Sequence, residues 1–174
     1  WLAILFIGEM FTTTTMKYFE MEIERAVVLA LFIPLIISAG GNSGSQASTL
    51  IIRALSLGEV RMRDWWRVFK RELLSGIVLG LILGFIGFLR IAIWPARESY
   101  FGTYWLALAI TVFFSVMGVV LWGTLSGSML PFILKKLRLD PASASAPMVA
   151  TIVDVTGIVI YFTVASIMLS GKLL

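Results

Sequence analysis

One acidic residue stands alone in a long uncharged stretch near the end of the chain. Between Pro141 and Gly171 the single charged side chain is that of Asp154. A carboxylate is costly inside an apolar membrane segment, so it is expected to face a helix bundle or a water-filled path. Asp154 is therefore the first candidate for a site that attracts cations.

Small and polar residues share a predicted helical face with Asp154. Asp140 and Pro141 predict the helix start, as N-cap and first helical residue, and Pro147 predicts a kink because it leaves the Ser143 carbonyl without a backbone donor. Such a face is typical of a pore wall or of close packing between helices, and the central carboxylate favours the pore. The face comprises Ser143, Pro147, Ala150, Thr151, Asp154, Gly157 and Tyr161.

A second polar segment interrupts an apolar stretch earlier in the chain, where residues 40–46 read GGNSGSQ. Non-helical backbone at membrane depth is tolerated where it lines a wet cavity, which predicts a polar path lined by these side chains and by freed backbone carbonyls. The alternative is close helix packing through the glycines. A phosphate loop is disfavoured, because neither a preceding strand nor a following Lys-Ser/Thr pair is present. The predicted pore-lining side chains are Asn42, Ser43, Ser45 and Gln46.

The ligand chemistry follows from the absence of both cysteine and histidine. Disulfides, thiolate nucleophiles, imidazole bases and the usual zinc ligands are excluded. Oxygen ligands suit a hard cation, namely magnesium, calcium, manganese or sodium. One carboxylate balances only half the charge of a divalent ion, whereas two copies of the chain about a two-fold axis would present two carboxylates. A magnesium ion that keeps its waters would hold opposing carboxylate oxygens about 9–10 Å apart, against about 4–5 Å for direct ligation.

Glu9 is another acid within an apolar segment, and it is a possible vestibule or second-site residue. An enzyme acting on lipid would want a carboxylate pair within one subunit, and the spacing of Glu9 and Asp154 does not predict one. In a non-transporting scaffold Asp154 would be only structural, and it could pair with a buried cation. No Lys or Arg lies inside another span, and Arg90 lies near the outer end of the third apolar segment. The sequence therefore favours transport over catalysis.

The composition predicts an all-α polytopic membrane protein. The chain has 174 residues, of which 59% are hydrophobic and 14% charged, with a mean hydropathy of +0.97. About 20 apolar residues cross a bilayer, which predicts five spans over about 1–16, 26–52, 73–93, 103–134 and 141–171. Residues 99–134 could instead form two re-entrant pieces. Arg61–Arg71 is expected to form an interfacial amphipathic helix that leads into the third span, rather than a plain loop.

Basic residues predict the orientation in the membrane. Nine Lys and Arg residues flank one side of the spans and five, including Lys172, flank the other. The excess marks the cytoplasmic side, so we expect a cytoplasmic N-terminus and an outer C-terminus in a bacterial plasma (inner) membrane. This flanking pattern does not indicate nucleic-acid binding. Because the first residue is Trp1 rather than Met, we expect the chain to be part of a longer protein.

These motifs together resemble the MgtE family of magnesium channels, which is related to a group of animal solute carriers. The resemblance covers essentially all of residues 1–174. It implies one transmembrane domain that forms a homodimer, with a pore on the two-fold axis that passes hydrated Mg²⁺ down its gradient. A coupled carrier that exchanges Mg²⁺ for sodium ions or protons remains the alternative. The matching residues are Pro34, Gly40–Gln46, Ile52–Leu55, Asp64–Arg67, Asp140-Pro141, Pro147 and Thr151–Gly157.

The resemblance also implies roles for individual residues. Asp154 would hold the hydrated ion with help from the backbone carbonyl of Ala150, and Asp140 would lie at the cytoplasmic face near regulatory sites. The chain departs from the family at Ala146, where an Asn is frequent. Cytosolic magnesium-sensing domains, absent from this chain, are expected in the full-length protein.

Overall fold

The computed structural model describes residues 1–171, with side chains over 1–143 and 145–171. All the long elements in this range are helices. Lys172 lies outside the described residues. Two short 3₁₀ segments, Val27–Phe32 and Met62–Asp64, precede α3 and α4. The helices are α1 (Leu2–Tyr18), α2 (Glu20–Arg25), α3 (Ile33–Ser56), α4 (Trp65–Ala92), α5 (Arg97–Phe101), α6 (Trp105–Lys136) and α7 (Pro141–Leu169).

Four helical segments are long and apolar enough to cross a membrane. They are Val27–Ser56, Met62–Ala92, Trp105–Lys136 and Ser145–Leu169. The chain is therefore a helical membrane protein. α1 has 17 residues, slightly fewer than the roughly 20 that a bilayer core needs, and it packs mainly against α7.

α6 forms the centre of the bundle, in contact with α3, α4 and α7. Its packing against α3 depends on glycine at four positions. A Cβ atom on Gly123 would collide with the carbonyl oxygen of Gly40, and one on Gly127 would collide with that of Gly44. Small residues allow two helix backbones to approach closely. In a bilayer, where no hydrophobic force acts between helices, this close van der Waals packing holds them together. The glycines of the 40–46 segment therefore serve close helix packing.

α3 runs as a regular helix through residues 40–46. Its backbone carbonyls are consequently engaged within the helix, and the prediction that freed carbonyls line a polar path is wrong. The helix persists because close packing against α6 stabilises a segment of low helix propensity.

The boundaries of α4 and α6 show that both helices are unbroken. α6 is one continuous helix of 32 residues, so residues 99–134 do not form two re-entrant pieces. The basic segment around Trp65 and Trp66 is helical and forms the first part of α4, so it leads into the third span as a helix, as predicted, and not as a plain loop. A helix of this length can carry its interfacial turns and its spanning turns without a break.

α7 begins as its sequence predicts. Asp140 is the N-cap, and its Oδ1 accepts a 3.0 Å hydrogen bond from the Ala142 backbone N–H. Pro141 occupies the first turn, where its missing N–H costs nothing. The helix continues through Pro147 to Leu169, so Pro147 does not end it.

Candidate functional site

Asp154 lies half-buried in the middle of α7 and faces α1. The carboxyl group of Glu9, on α1, lies beside the Asp154 carboxyl group, because it contacts Thr151, one turn before Asp154 on α7. Two carboxylates this close repel each other, so a proton or a cation between them lowers the energy of the pair. The structure therefore brings together two acids whose sequence spacing did not predict a pair.

Thr151 connects the two acids. It lies one turn before Asp154 on α7, and its hydroxyl donates a 3.0 Å hydrogen bond to Glu9 Oε1. A close contact keeps α1 in place there, because a Cβ atom on Gly8 would lie 2.6 Å from Thr151 Cγ2. The Glu9 carboxylate is thus held against α7 by one hydrogen bond. The backbone of α1 can come this close to α7 because residue 8 is a glycine.

The predicted polar face of α7 is exposed at the end near Asp140 and buried at the end near Tyr161. Ser143 and Pro147 are exposed, and Ala150 is half-buried. Beyond Asp154 the face is buried: a Cβ atom on Gly157 would lie 3.3 Å from Val119 Cγ1 of α6.

A buried tyrosine closes the far end of this face. The Tyr161 hydroxyl donates a 2.8 Å hydrogen bond to the backbone carbonyl of Leu29, and the Tyr161 side chain is fully buried. Within one chain, the polar face is therefore accessible from Asp140 as far as Asp154 and is covered by neighbouring helices beyond it.

The polar side chains of α3 lie on another side of the bundle. Asn42 and Gln46 line a groove of about 600 Å³ between α3 and α4, next to Leu79 and Leu83. Asn42 is exposed, and its side-chain amide donates a 3.2 Å hydrogen bond to Ser38 Oγ.

The other two predicted residues of α3 lie on different sides of the helix, and Ser43 but not Ser45 reaches that groove. Ser45 lies beside Gln46 and Thr49 on the outer surface of α3. Ser43 is turned toward α6, where its hydroxyl forms a 2.6 Å hydrogen bond with that of Thr124. Because α3 and α7 pack through their buried faces, one chain does not bring Asn42 and Gln46 to Asp154.

Arg90, the basic residue considered as a partner for Asp154, is engaged elsewhere. The guanidinium of Arg90 lies 4.0 Å from the centre of the Trp94 ring, a cation–π contact near the end of α4. Arg90 is therefore placed with an aromatic ring rather than with Asp154.

Sequence reasoning missed one polar contact beside this site. Trp122 Nε1 donates a 2.8 Å hydrogen bond to Thr156 Oγ1, and so links α6 to the turn of α7 that follows Asp154. Nothing in the sequence distinguishes Trp122 from the other tryptophans, because the pairing depends on how two helices pack.

Within residues 1–171, no group of three or more His, Cys, Asp or Glu side chains is positioned to enclose a metal ion. One chain therefore offers an open, two-carboxylate site rather than a closed cage. Together, the four long apolar helices and an acidic pair on a polar helix face define a polytopic membrane protein with a polar site at membrane depth.

Comparison with known proteins agrees with that class. Residues 33–164 match the family model described as MgtE, divalent cation transporter. The chain belongs to the MgtE family.

Several relatives are similar over nearly the whole chain. A protein named magnesium transporter MgtE from Thermus thermophilus is 40% identical over 171 residues, which cover 98% of this chain and 36% of the relative. The magnesium transporter MgtE of Bacillus subtilis is 31% identical, over 95% of this chain and 35% of the relative. That of Enterococcus faecalis is 30% identical over the same shares. The chain thus spans about one third of the length of the relatives it matches.

Proposed function

We propose that this chain is the ion-conducting part of a magnesium-selective channel. The observation that carries the proposal is the acidic pair of Asp154 and Glu9, half-buried where the polar face of α7 ends. Hard oxygen ligands of this kind suit Mg²⁺. The relatives named magnesium transporters support the choice of this ion.

The proposed channel is a homodimer with its pore on the two-fold axis. Asn42 and Gln46 form a polar surface on the outside of one chain, and such a surface is costly against lipid. A second copy could cover it and bring a second Asp154 across the axis. Two carboxylates would then balance the charge of one divalent ion.

The ion is proposed to pass with its water shell. Magnesium dehydrates reluctantly, and the single chain supplies two carboxyl groups and a carbonyl at Ala150 rather than six oxygens. Contacts through water therefore fit the site better than direct ligation. Asp140, at the other end of the polar face, is proposed to lie at the cytoplasmic mouth of the path, near regulatory sites.

The proposed setting is a bacterial plasma membrane with α1 as a fifth span. Counting the basic residues beside the spans gives a cytoplasmic N-terminus and an outer C-terminus. Membrane lipid surrounds the dimer, and cytosolic regulatory domains are proposed for the full-length protein.

The test is magnesium flux through the purified protein in liposomes, with Asp154→Asn as the variant. With Mg²⁺ as the sole permeant cation, the wild-type protein should carry current. Asp154→Asn should form the same dimer on size exclusion but lose selectivity for Mg²⁺ over Na⁺. Unchanged flux and selectivity in a folded variant would instead assign Asp154 a structural role.

A magnesium–proton exchanger is the second candidate, and the Glu9–Asp154 contact favours it. Two neighbouring carboxyl groups can hold one proton between them, and an incoming cation would release it. An exchanger predicts that Mg²⁺ entry into liposomes is accompanied by proton exit in a fixed ratio, as reported by an entrapped pH dye. A channel predicts Mg²⁺ current with no such ratio.

A further inference from the structure

A groove at one end of the bundle shares no lining residue with the acidic pair. It has a volume of about 780 Å³ and lies where the start of α4 meets the end of α6. Its walls are apolar and its rim is basic. The residues that decide its chemistry are Arg63, Lys136, Trp65, Phe69, Met129 and Phe132.

The depth of the groove suits a hydrocarbon chain. Met129 lies seven residues before Lys136 on α6, about 10 Å along the helix axis. Phe132 is buried and forms part of the floor, in a small cluster with Val68 and Met129. Apolar side chains thus continue from the rim toward the middle of the membrane, in line with the direction of an acyl chain.

The rim supplies complementary charge for an anionic head group. Arg63 and Lys136 come from different elements, and both are exposed. No acidic side chain is among the residues that line the groove within the described part of the chain. Trp65 is half exposed beside them, as is usual at the level of lipid head groups. Basic pockets between spanning helices with apolar walls bind anionic lipids.

We propose that this groove binds an anionic phospholipid, with its phosphate between Arg63 and Lys136 and one acyl chain along Phe69 and Met129. The charge at the rim selects the head group, and the apolar walls hold the chain. Neither side chain alone encloses the phosphate, so a bound lipid would connect α4 to α6 at their ends.

The experiment measures lipid binding to the purified full-length protein by native mass spectrometry. The two probes are dioleoyl phosphatidylglycerol and dioleoyl phosphatidylcholine, which share acyl chains and differ in charge. Wild-type protein should bind the anionic lipid more tightly. The double variant Arg63→Gln/Lys136→Gln should bind it about thirtyfold more weakly, since each basic residue near a membrane surface contributes about one kcal/mol.

A matched control has the same loss of charge outside the groove. Arg67 and Lys135 are exposed, lie close in sequence to Arg63 and Lys136 respectively, and do not line the groove. Arg67 lies two residues after Trp65, which places it on the other side of α4. The control Arg67→Gln/Lys135→Gln should keep the wild-type preference. Melting temperatures near that of wild type would verify that both double variants fold.

Four outcomes would overturn the proposal. Equal losses in the two double variants would mean diffuse surface attraction. Equal binding of the two lipids by wild type would mean an apolar groove without head-group selection. Competition by glycerol 1-phosphate as effective as that by the whole lipid would mean an anion site without a chain. Anionic-lipid binding by the isolated 174-residue chain but not by the full-length protein would mean that another protein segment covers the groove.

Discussion

The Thr151 hydroxyl donates a 3.0 Å hydrogen bond to Glu9 Oε1, although 142 positions separate the two residues. The bond ties α1 to the turn of α7 that carries Asp154. α1 therefore contributes an acidic group to the candidate ion site, besides packing on its outside. This contact gives the first two predictions.

Replacing Thr151 with valine should weaken the site without changing its shape. Valine keeps the branched side chain that packs on Gly8 but removes the donor to Glu9. A hydrogen bond to a charged group contributes about 1.5–3 kcal/mol, so we expect the Mg²⁺ concentration for half-maximal flux to rise at least about tenfold. Thr163→Val, on an exposed position of the same helix, is the control. Identical magnesium dependence in both variants would disprove a role for the Thr151–Glu9 bond.

Glu9→Gln separates charge from hydrogen bonding at the same position. Glutamine can still accept from the Thr151 hydroxyl, so α1 should stay in place. The variant loses one of the two carboxyl groups beside α7, and the affinity for a divalent ion should fall. We expect reduced Mg²⁺ flux in liposomes, together with loss of any coupled proton release.

The control for this variant is Glu24→Gln, an exposed acid on α2. It should leave both Mg²⁺ flux and proton movement unchanged. Equal effects of the two substitutions would point to a general surface potential rather than to the acidic pair.

How far the sequence predicts this molecule depends on the kind of contact. Asp140 and Pro141 predict the start of α7 because capping is local chemistry, and the structure confirms it. The Glu9–Asp154 pair could not be predicted, because it depends on how two distant helices pack. Its single local signal is that Glu9 is itself an acid in an apolar segment.

Residues 40–46 show the opposite case, in which the local sequence predicts the wrong backbone structure. Their composition is that of a loop, yet α3 is helical there because Gly40 and Gly44 fit closely against Gly123 and Gly127. Tertiary packing overrode local propensity. Composition alone does not distinguish a glycine that breaks a helix from one that admits a neighbour.

Two neighbouring glycines of α3 should respond to alanine with opposite signs. A Cβ atom on Gly44 would lie 2.5 Å from Val149 Cγ1 and 2.7 Å from the Gly123 carbonyl oxygen, whereas one on Gly41 would have no atom within 4 Å. Gly44→Ala should destabilise the fold by about 1–3 kcal/mol through overpacking. Gly41→Ala should be neutral or stabilise it by up to about 1 kcal/mol through helix propensity. Thermal unfolding in detergent measures both, and a lower melting temperature for Gly41→Ala than for Gly44→Ala would contradict the packing argument.

The closed end of the polar face depends on Tyr161. Its hydroxyl donates a buried 2.8 Å hydrogen bond to the Leu29 carbonyl, and Tyr161→Phe would leave that carbonyl with one partner fewer. A loss of about 1–3 kcal/mol of stability is expected. Tyr18→Phe, at an exposed position, should melt like wild type. If Tyr161→Phe also melts like wild type, the hydrogen bond contributes nothing to stability.

The distance between two Asp154 side chains distinguishes a hydrated ion from a bare one. Oxygens about 9–10 Å apart leave room for one layer of water on each side of Mg²⁺, and oxygens about 4–5 Å apart do not. The chain contains no cysteine, so Asp154→Cys introduces the one reactive thiol. A bifunctional reagent spanning about 10 Å should link two copies efficiently, and one spanning about 5 Å should not. Thr163→Cys is the control, since nine residues of helix place it on the opposite side of α7. Efficient linking by the short reagent would show that the carboxylates are close enough to ligate the ion directly, and the water-shell mechanism would fail.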